Sequence, residues 1–150
     1  MAALFAFLHH LAAFTLFAAL VMELVLIRDT PTVSVARRLQ VADMIFGIAA
    51  GVLLVVGLLR VFHFEKGAYY YFHTWTFITK LSLFVIVGLL SIIPTREFLS
   101  WRNAVKQGQA PSVSAEKLRR VRTIIHLELV GLVVIILMAA LMAKGIGLTM

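Results

Sequence analysis

At 150 residues, 62% of them hydrophobic and 14% charged, with a mean hydropathy of +1.01, the chain has too few polar side chains to cover a water-soluble globule of its size. The absence of cysteine excludes disulfides, thiolate metal centres and cysteine nucleophiles. The formal net charge of +7 is concentrated between apolar runs, so it acts as a topology signal and an attraction for anionic lipid headgroups, and a nucleic-acid partner is not expected.

The first apolar run spans Leu4 to Ile27 and carries neither the basic start nor the small-residue cleavage site of a secretory signal. It is expected to stay as helix one. Three further runs follow, Val41 to Phe62, Tyr69 to Ile93 and Ile124 to Ala143. Each is close to the roughly 20 residues that cross the hydrocarbon layer as a helix. Helices satisfy every backbone amide within their own segment, and no run shows the strand alternation of an outer-membrane barrel. The expected fold is an all-α integral membrane four-helix bundle forming one domain over residues 1–150.

Between the first two runs, PTVSVARRL from Pro31 resembles PSVSAEKLRR from Pro111 before the last run. In each, proline leads into a serine able to cap a helix, followed by arginines. The likeness fits shared helix-start chemistry better than a repeat of two hairpins. Helix two carries Gly47 and Gly51 at small-xxx-small spacing, with Ala50 and Gly57 near that surface, a pattern for packing inside the bundle or, less simply, a homodimer.

Arg28, Arg37 and Arg38 fill the first loop, and Arg96, Arg102, Lys106, Lys117, Arg119, Arg120 and Arg122 the third; the second has only Arg60 and Lys66, and the C-terminus only Lys144. The positive-inside rule then places the first and third loops in the cytoplasm and both termini outside, in the periplasm of a bacterial inner membrane. After helix three, Pro94 is expected to break the backbone. PTREFLSWRNAVKQ then reads as a cytoplasmic interfacial helix with Phe98, Leu99 and Trp101 toward lipid, and Gly108–Ser112 as a linker.

Ionisable side chains within spans are costly and usually face a bundle interior. Toward the outer face lie His9, His10, Arg60, His63, His73 and Lys80; toward the inner face lie Glu23, Asp43, His126 and Glu128. His9 and Lys80 fall at comparable depth, the lysine ~12 to 16 Å in at 1.5 Å per residue. His73, seven residues before Lys80, would return to nearly the same helix face. Opposed nitrogen donors in a four-helix bundle, with Phe14, Phe17, Trp75 and Phe77 to line an apolar slot, are the ingredients of a porphyrin site. His9 and Lys80 are the metal-ligand candidates, His10 and His73 the alternates, and Arg60 a partner for propionates. His9 and His10 cannot both face one pocket, since neighbours differ by about 100°. Against this stands snorkelling of Lys80 toward the headgroups. At the inner face, Glu23, Asp43, His126 and Glu128 are expected to pair with Arg28, Arg37 or Arg122 as orientation anchors, or, for Glu23 and His126, to form a proton or quinone-headgroup site.

LHHLAAFTLFAALVMELVLIR, GLLRVFHFEKG and FHTWTFITKLSLFVIVGLLSIIPTREFLSWR are together similar to a family of short four-span bacterial inner-membrane proteins of unknown function. More distantly, the early LH and TKLSLFVIVGLL resemble the bacterial membrane protoporphyrinogen oxidase (HemJ-like) family. That resemblance implies a haem-binding four-helix bundle, with His9 at the position of the family's essential histidine and Lys80 at that of its essential lysine. Leu16 and Met22–Glu23 depart from the tryptophan and arginine usual there. The expectation is one haem b on the periplasmic side, serving porphyrin-type oxidation or electron transfer with the quinone pool. The competing expectations are a cofactor-free accessory subunit of a larger membrane complex, and a small transporter or copper-handling protein. The six methionines are too scattered for copper.

Overall fold

The computed structural model describes residues 1–64 and 68–147; Lys66 and the last residues of the GLLRVFHFEKG motif lie outside them. Four helices are long and apolar enough to span a membrane. They are α1 (Ala2–Leu26), α2 (Val33–Leu59), α4 (Trp75–Ser100) and α6 (Ala115–Ala143). A π-helical turn, Arg60–Phe64, extends α2, and two short helices, α3 (Ala68–Phe72) and α5 (Arg102–Lys106), sit in the connections.

Alternating direction puts the N-terminus, the α2–α4 connection and the C-terminus at one end, called the terminal end below. The α1–α2 and α4–α6 connections, together with the helix turns that flank them and carry most of the arginines, form the basic end. α1 packs along α2 and α4 along α6; α1 also meets α6, and α2 meets α4. The four therefore stand at the corners of a square with α1 and α4 on one diagonal.

Helix starts and stops follow local chemistry. The Thr32 hydroxyl caps α2 by accepting from the Val35 N–H at 3.3 Å, and the Ser114 hydroxyl caps α6 by accepting from the Lys117 N–H at 3.2 Å. The caps fall one residue after Pro31 but three after Pro111, so the two similar stretches start their helices in different registers. Arg122 reaches from α6 to the end of α1, donating to the carbonyls of Ile27 (2.9 Å) and Arg28. Gln40 does the same for α4, donating to the Phe98 carbonyl at 2.8 Å. At the terminal end the Trp75 N–H, at the exposed start of α4, donates to the Gly147 carbonyl at 3.1 Å.

Contrary to the sequence expectation, α4 runs unbroken through Pro94 to Ser100. Phe98 and Trp101 turn into the core, 0% and 4% exposed, and only Leu99 faces outward. The Trp101 indole donates to Glu97 at 3.1 Å, which gives its polar edge a partner inside. The five-residue α5 occupies the place expected for a longer interfacial helix. Gly47 and Gly51 differ as well: both are exposed and neither has a neighbour within 4 Å of its Cβ direction, so they do not seat a helix within the bundle.

The core lies mostly in the basic half. Leu16, Leu20, Leu39, Phe46, Phe98, Ile125 and their neighbours form one continuous cluster. A second, small cluster of Val61, Tyr71 and Phe77 caps the terminal end. Between them α1 has no buried residue before Ala12, and α4 none between Phe77 and Val87. α4 and α6 come close at Gly131, where a Cβ would lie 2.6 Å from Val87 Cγ2 of α4. Gly131→Leu is expected to force α4 and α6 apart and cost about 1–3 kcal/mol. Thermal unfolding in detergent checks this, and Val87→Ala in the same chain should restore part of the loss.

Candidate functional site

The unfilled stretch at the terminal end is a cavity of about 500 Å³ inside the square. His9, His10, Arg60 and Lys80 all border it, contributed by α1, the π turn and α4. Its walls are otherwise apolar: Phe14 and Phe17 from α1, Leu53 and Leu58 from α2, Phe77 and Phe84 from α4, and Ile135 and Ala139 from α6. Phe14 and Ile136, 74% and 57% exposed, mark where it opens sideways between α1 and α6.

The diagonal placement of α1 and α4 makes this space. Their inward side chains look at each other across the square without their backbones meeting, so nitrogen groups on the two helices face a gap. His9 is seated by Gly57 of α2, where a Cβ would lie 3.2 Å from the ring Cε1 and 3.5 Å from Nδ1. Even an alanine at that position would require the ring to give by a few tenths of an ångström. His10 borders the same cavity at its exposed edge, with its Nδ1 2.6 Å from the Ala6 carbonyl and its ring edge-on to His9 at 6.2 Å. The two therefore border one cavity from different angles, one half-buried and one exposed.

Lys80 is half-buried and lines the cavity. Its Nζ lies 5.4 Å from the centroid of the Phe77 ring, within cation–π range, so the side chain leans back along α4 toward the terminal end while staying on the cavity side. Arg60 borders the cavity from the π turn, which carries the end of α2 over its rim.

His73 is placed differently. The expected seven-residue phase with Lys80 assumes one continuous helix, but the chain turns at His73–Thr74 and α4 begins at Trp75. His73 is exposed, stacks on Tyr69 at 4.1 Å between ring centroids and has Nδ1 2.8 Å from the Tyr69 carbonyl, outside the cavity wall. Trp75 is likewise half-exposed and away from the cavity, while Tyr71, not singled out in the sequence, borders it.

The acidic residues of the basic end also depart from expectation. Glu23, Asp43 and Glu128 turn inward instead of pairing with arginines, which are exposed (Arg28, Arg37) or bound to backbone carbonyls (Arg122). His126 is exposed, its Nδ1 2.8 Å from the Arg122 carbonyl, and does not join Glu23.

Chemically, the terminal cavity offers imidazole and amine donors, a guanidinium and aromatic walls. Among the described residues no group of three or more His, Cys, Asp or Glu forms that could hold a bare metal ion. The arrangement suits a group that brings most of its own ligands. Gly57→Leu is expected to displace the His9 ring and cost about 1–3 kcal/mol through overpacking. Imidazole ¹⁵N shifts would record it as a change at His9, with His63, His73 and His126 unmoved.

No curated protein and no solved structure matches the chain. Over residues 1–147 it matches the family described as predicted membrane protein (DUF2214), and on that match the chain belongs to this family of membrane proteins.

Proposed function

We propose that the protein is a haem b-binding redox protein of the bacterial inner membrane, holding one haem in the terminal cavity, with that end toward the periplasm. The observation that carries this reading is that His9, His10, Lys80 and Arg60 border one aromatic-walled cavity of about 500 Å³. A haem site needs a flat apolar slot, axial nitrogen or sulfur donors and cations for its propionates. The residues fit those needs, and the volume lies within the range of small-molecule and cofactor pockets. The resemblance of the early LH and TKLSLFVIVGLL stretches to the membrane protoporphyrinogen oxidases implies the same pair, with His9 and Lys80 as the counterparts of that family's essential histidine and lysine. The excess of arginine and lysine at the basic end supports a cytoplasmic location for it and periplasmic termini.

In this reading His9 and Lys80 hold the iron, with His10 as the alternative imidazole, and Arg60 pairs with a propionate. The haem, when bound, supplies one-electron chemistry. The protein's own residues do the rest. Gly57 lets the His9 ring lie against α2, Phe17, Phe77 and Phe84 keep water from the slot, and Lys80 presents its amine on the cavity side of α4. The side opening between α1 and α6 gives a hydrophobic partner, a porphyrin or a quinone, a route from the bilayer without crossing water.

The test is the visible spectrum of protein purified in detergent from haem-replete membranes. A reducible Soret band is expected, lost by tenfold or more in His9→Ala and weakened or shifted in Lys80→Ala, as loss of an axial donor demands. A colourless, fully folded preparation would contradict the proposal and favour a cofactor-free accessory subunit of a larger membrane complex.

A further inference from the structure

Three carboxyl groups on three helices point into the bundle near the basic end: Glu23 on α1, Asp43 on α2 and Glu128 on α6, only 1%, 8% and 1% exposed. The fourth helix joins through Thr95 of α4, whose hydroxyl donates to Asp43 Oδ1 at 2.7 Å. Glu23 Oε1 and both carboxyl oxygens of Glu128 are buried and take no hydrogen bond.

No protein cation answers them among the described residues. Arg122 faces the region from α6, but its terminal nitrogen is engaged by the Ile27 and Arg28 carbonyls, and its buried Nε makes no bond. Arg37 and Arg38 on α2 and His126 on α6 are exposed. Glu97 on α4 is turned to Trp101 and Lys117, 3.1 Å and 3.7 Å away. On α5, Arg102 and Lys106 are exposed. An uncompensated carboxylate in such surroundings costs several kcal/mol, and three together repel, so the counter-charge has to arrive with a ligand. A metal ion would need several converging oxygens, and no such ligand group is formed among the described residues. A proton needs one lone pair, and Glu23 and Glu128 each offer an unengaged one.

We propose that Glu23 and Glu128, with Asp43 as the third member, form an intramembrane proton-binding site at the seam between the α1–α2 pair and the α4–α6 pair. Because the carboxyls come from both sides of that seam, proton occupancy governs how closely the pairs can sit: with the protons gone, like charges face one another across it. Thr95 also borders a second cavity of about 260 Å³ that reaches Phe84, the residue it shares with the large cavity, so the site adjoins the same interior. The inference does not rest on haem binding.

Infrared spectroscopy of the full-length protein in liposomes tests it without requiring a reagent to enter the bundle. At neutral pH the wild type should show the C=O stretch of a protonated carboxyl, shifted in D₂O and removed on titration to higher pH. Glu23→Gln and Glu128→Gln should each weaken it and shift the pH at which the remainder is lost, because interacting carboxyls titrate as one set, and the double variant should remove nearly all of it. His9→Ala should leave it intact, which separates this result from the fate of the haem reading. The wild-type pH titration stands even if a variant fails to fold. Absence of the band at neutral pH, its survival in the folded double variant, or its loss on adding Na⁺ or Mg²⁺ at constant pH would overturn the proposal.

Discussion

The square arrangement of four helices, with α1 and α4 on a diagonal, is the constraint on which everything else depends. Adjacent helices fill the space between them with side chains; diagonal helices can do so only if the residues facing the centre are large. In the basic half they are, with Leu16, Leu20, Phe46, Phe98 and Ile125 meeting in one core. In the terminal half Ala13, Gly57 and Ala139 take part of the wall between the aromatic and aliphatic side chains, and about 500 Å³ is left. A sealed void of that size would cost roughly 12 kcal/mol at about 24 cal/mol per Å³, more than most domains can spare. The side opening between α1 and α6 resolves this, because whatever occupies the cavity from the bilayer replaces the missing contacts.

The same geometry sorts the polar groups. Nitrogen-bearing His9, Arg60 and Lys80 collect around the terminal cavity, while Glu23, Asp43 and Glu128 collect beyond the second cavity. Fourteen residues of α1 separate His9 from Glu23, a rise of ~21 Å. Groups at that distance across hydrocarbon are individually costly, so each cluster needs its own compensation. In the proposed reading the terminal end would offer ligands and cations to an anionic macrocycle, and the basic end acceptors to protons. One bundle thus presents two ligand environments of opposite charge along its axis.

Much of this was legible in the sequence, because hydrocarbon imposes so strict a filter. The four spans stood out as apolar runs, although α2 and α6 begin eight and nine residues earlier than the runs, at Val33 and Ala115, where capped polar turns continue the helix. His9, His10, Lys80 and Arg60, among the ionisable residues toward the outer face, border one cavity. His73 was misplaced because periodicity counts residues and cannot see the turn at Thr74, where the hydroxyl donates to the Tyr70 carbonyl and α4 starts afresh. Pro94 suggests a break because proline removes one helical hydrogen bond, yet packing of Phe98 and Trp101 beyond it holds the helix together. The inward turn of Glu23 and Glu128 had a signal, their positions in phase with Leu16, Leu20 and Leu132, that was outweighed by the number of arginines within reach.

The central claim is that the terminal cavity is the binding site, and titration of haemin into detergent-purified, haem-depleted protein tests it most directly. The account expects saturation at one equivalent per chain, abolished by Ala139→Trp, which fills the cavity from α6, and unchanged by Leu137→Trp, which adds the same bulk to an outward position. Equal binding to all three proteins, or none to the wild type, would contradict it.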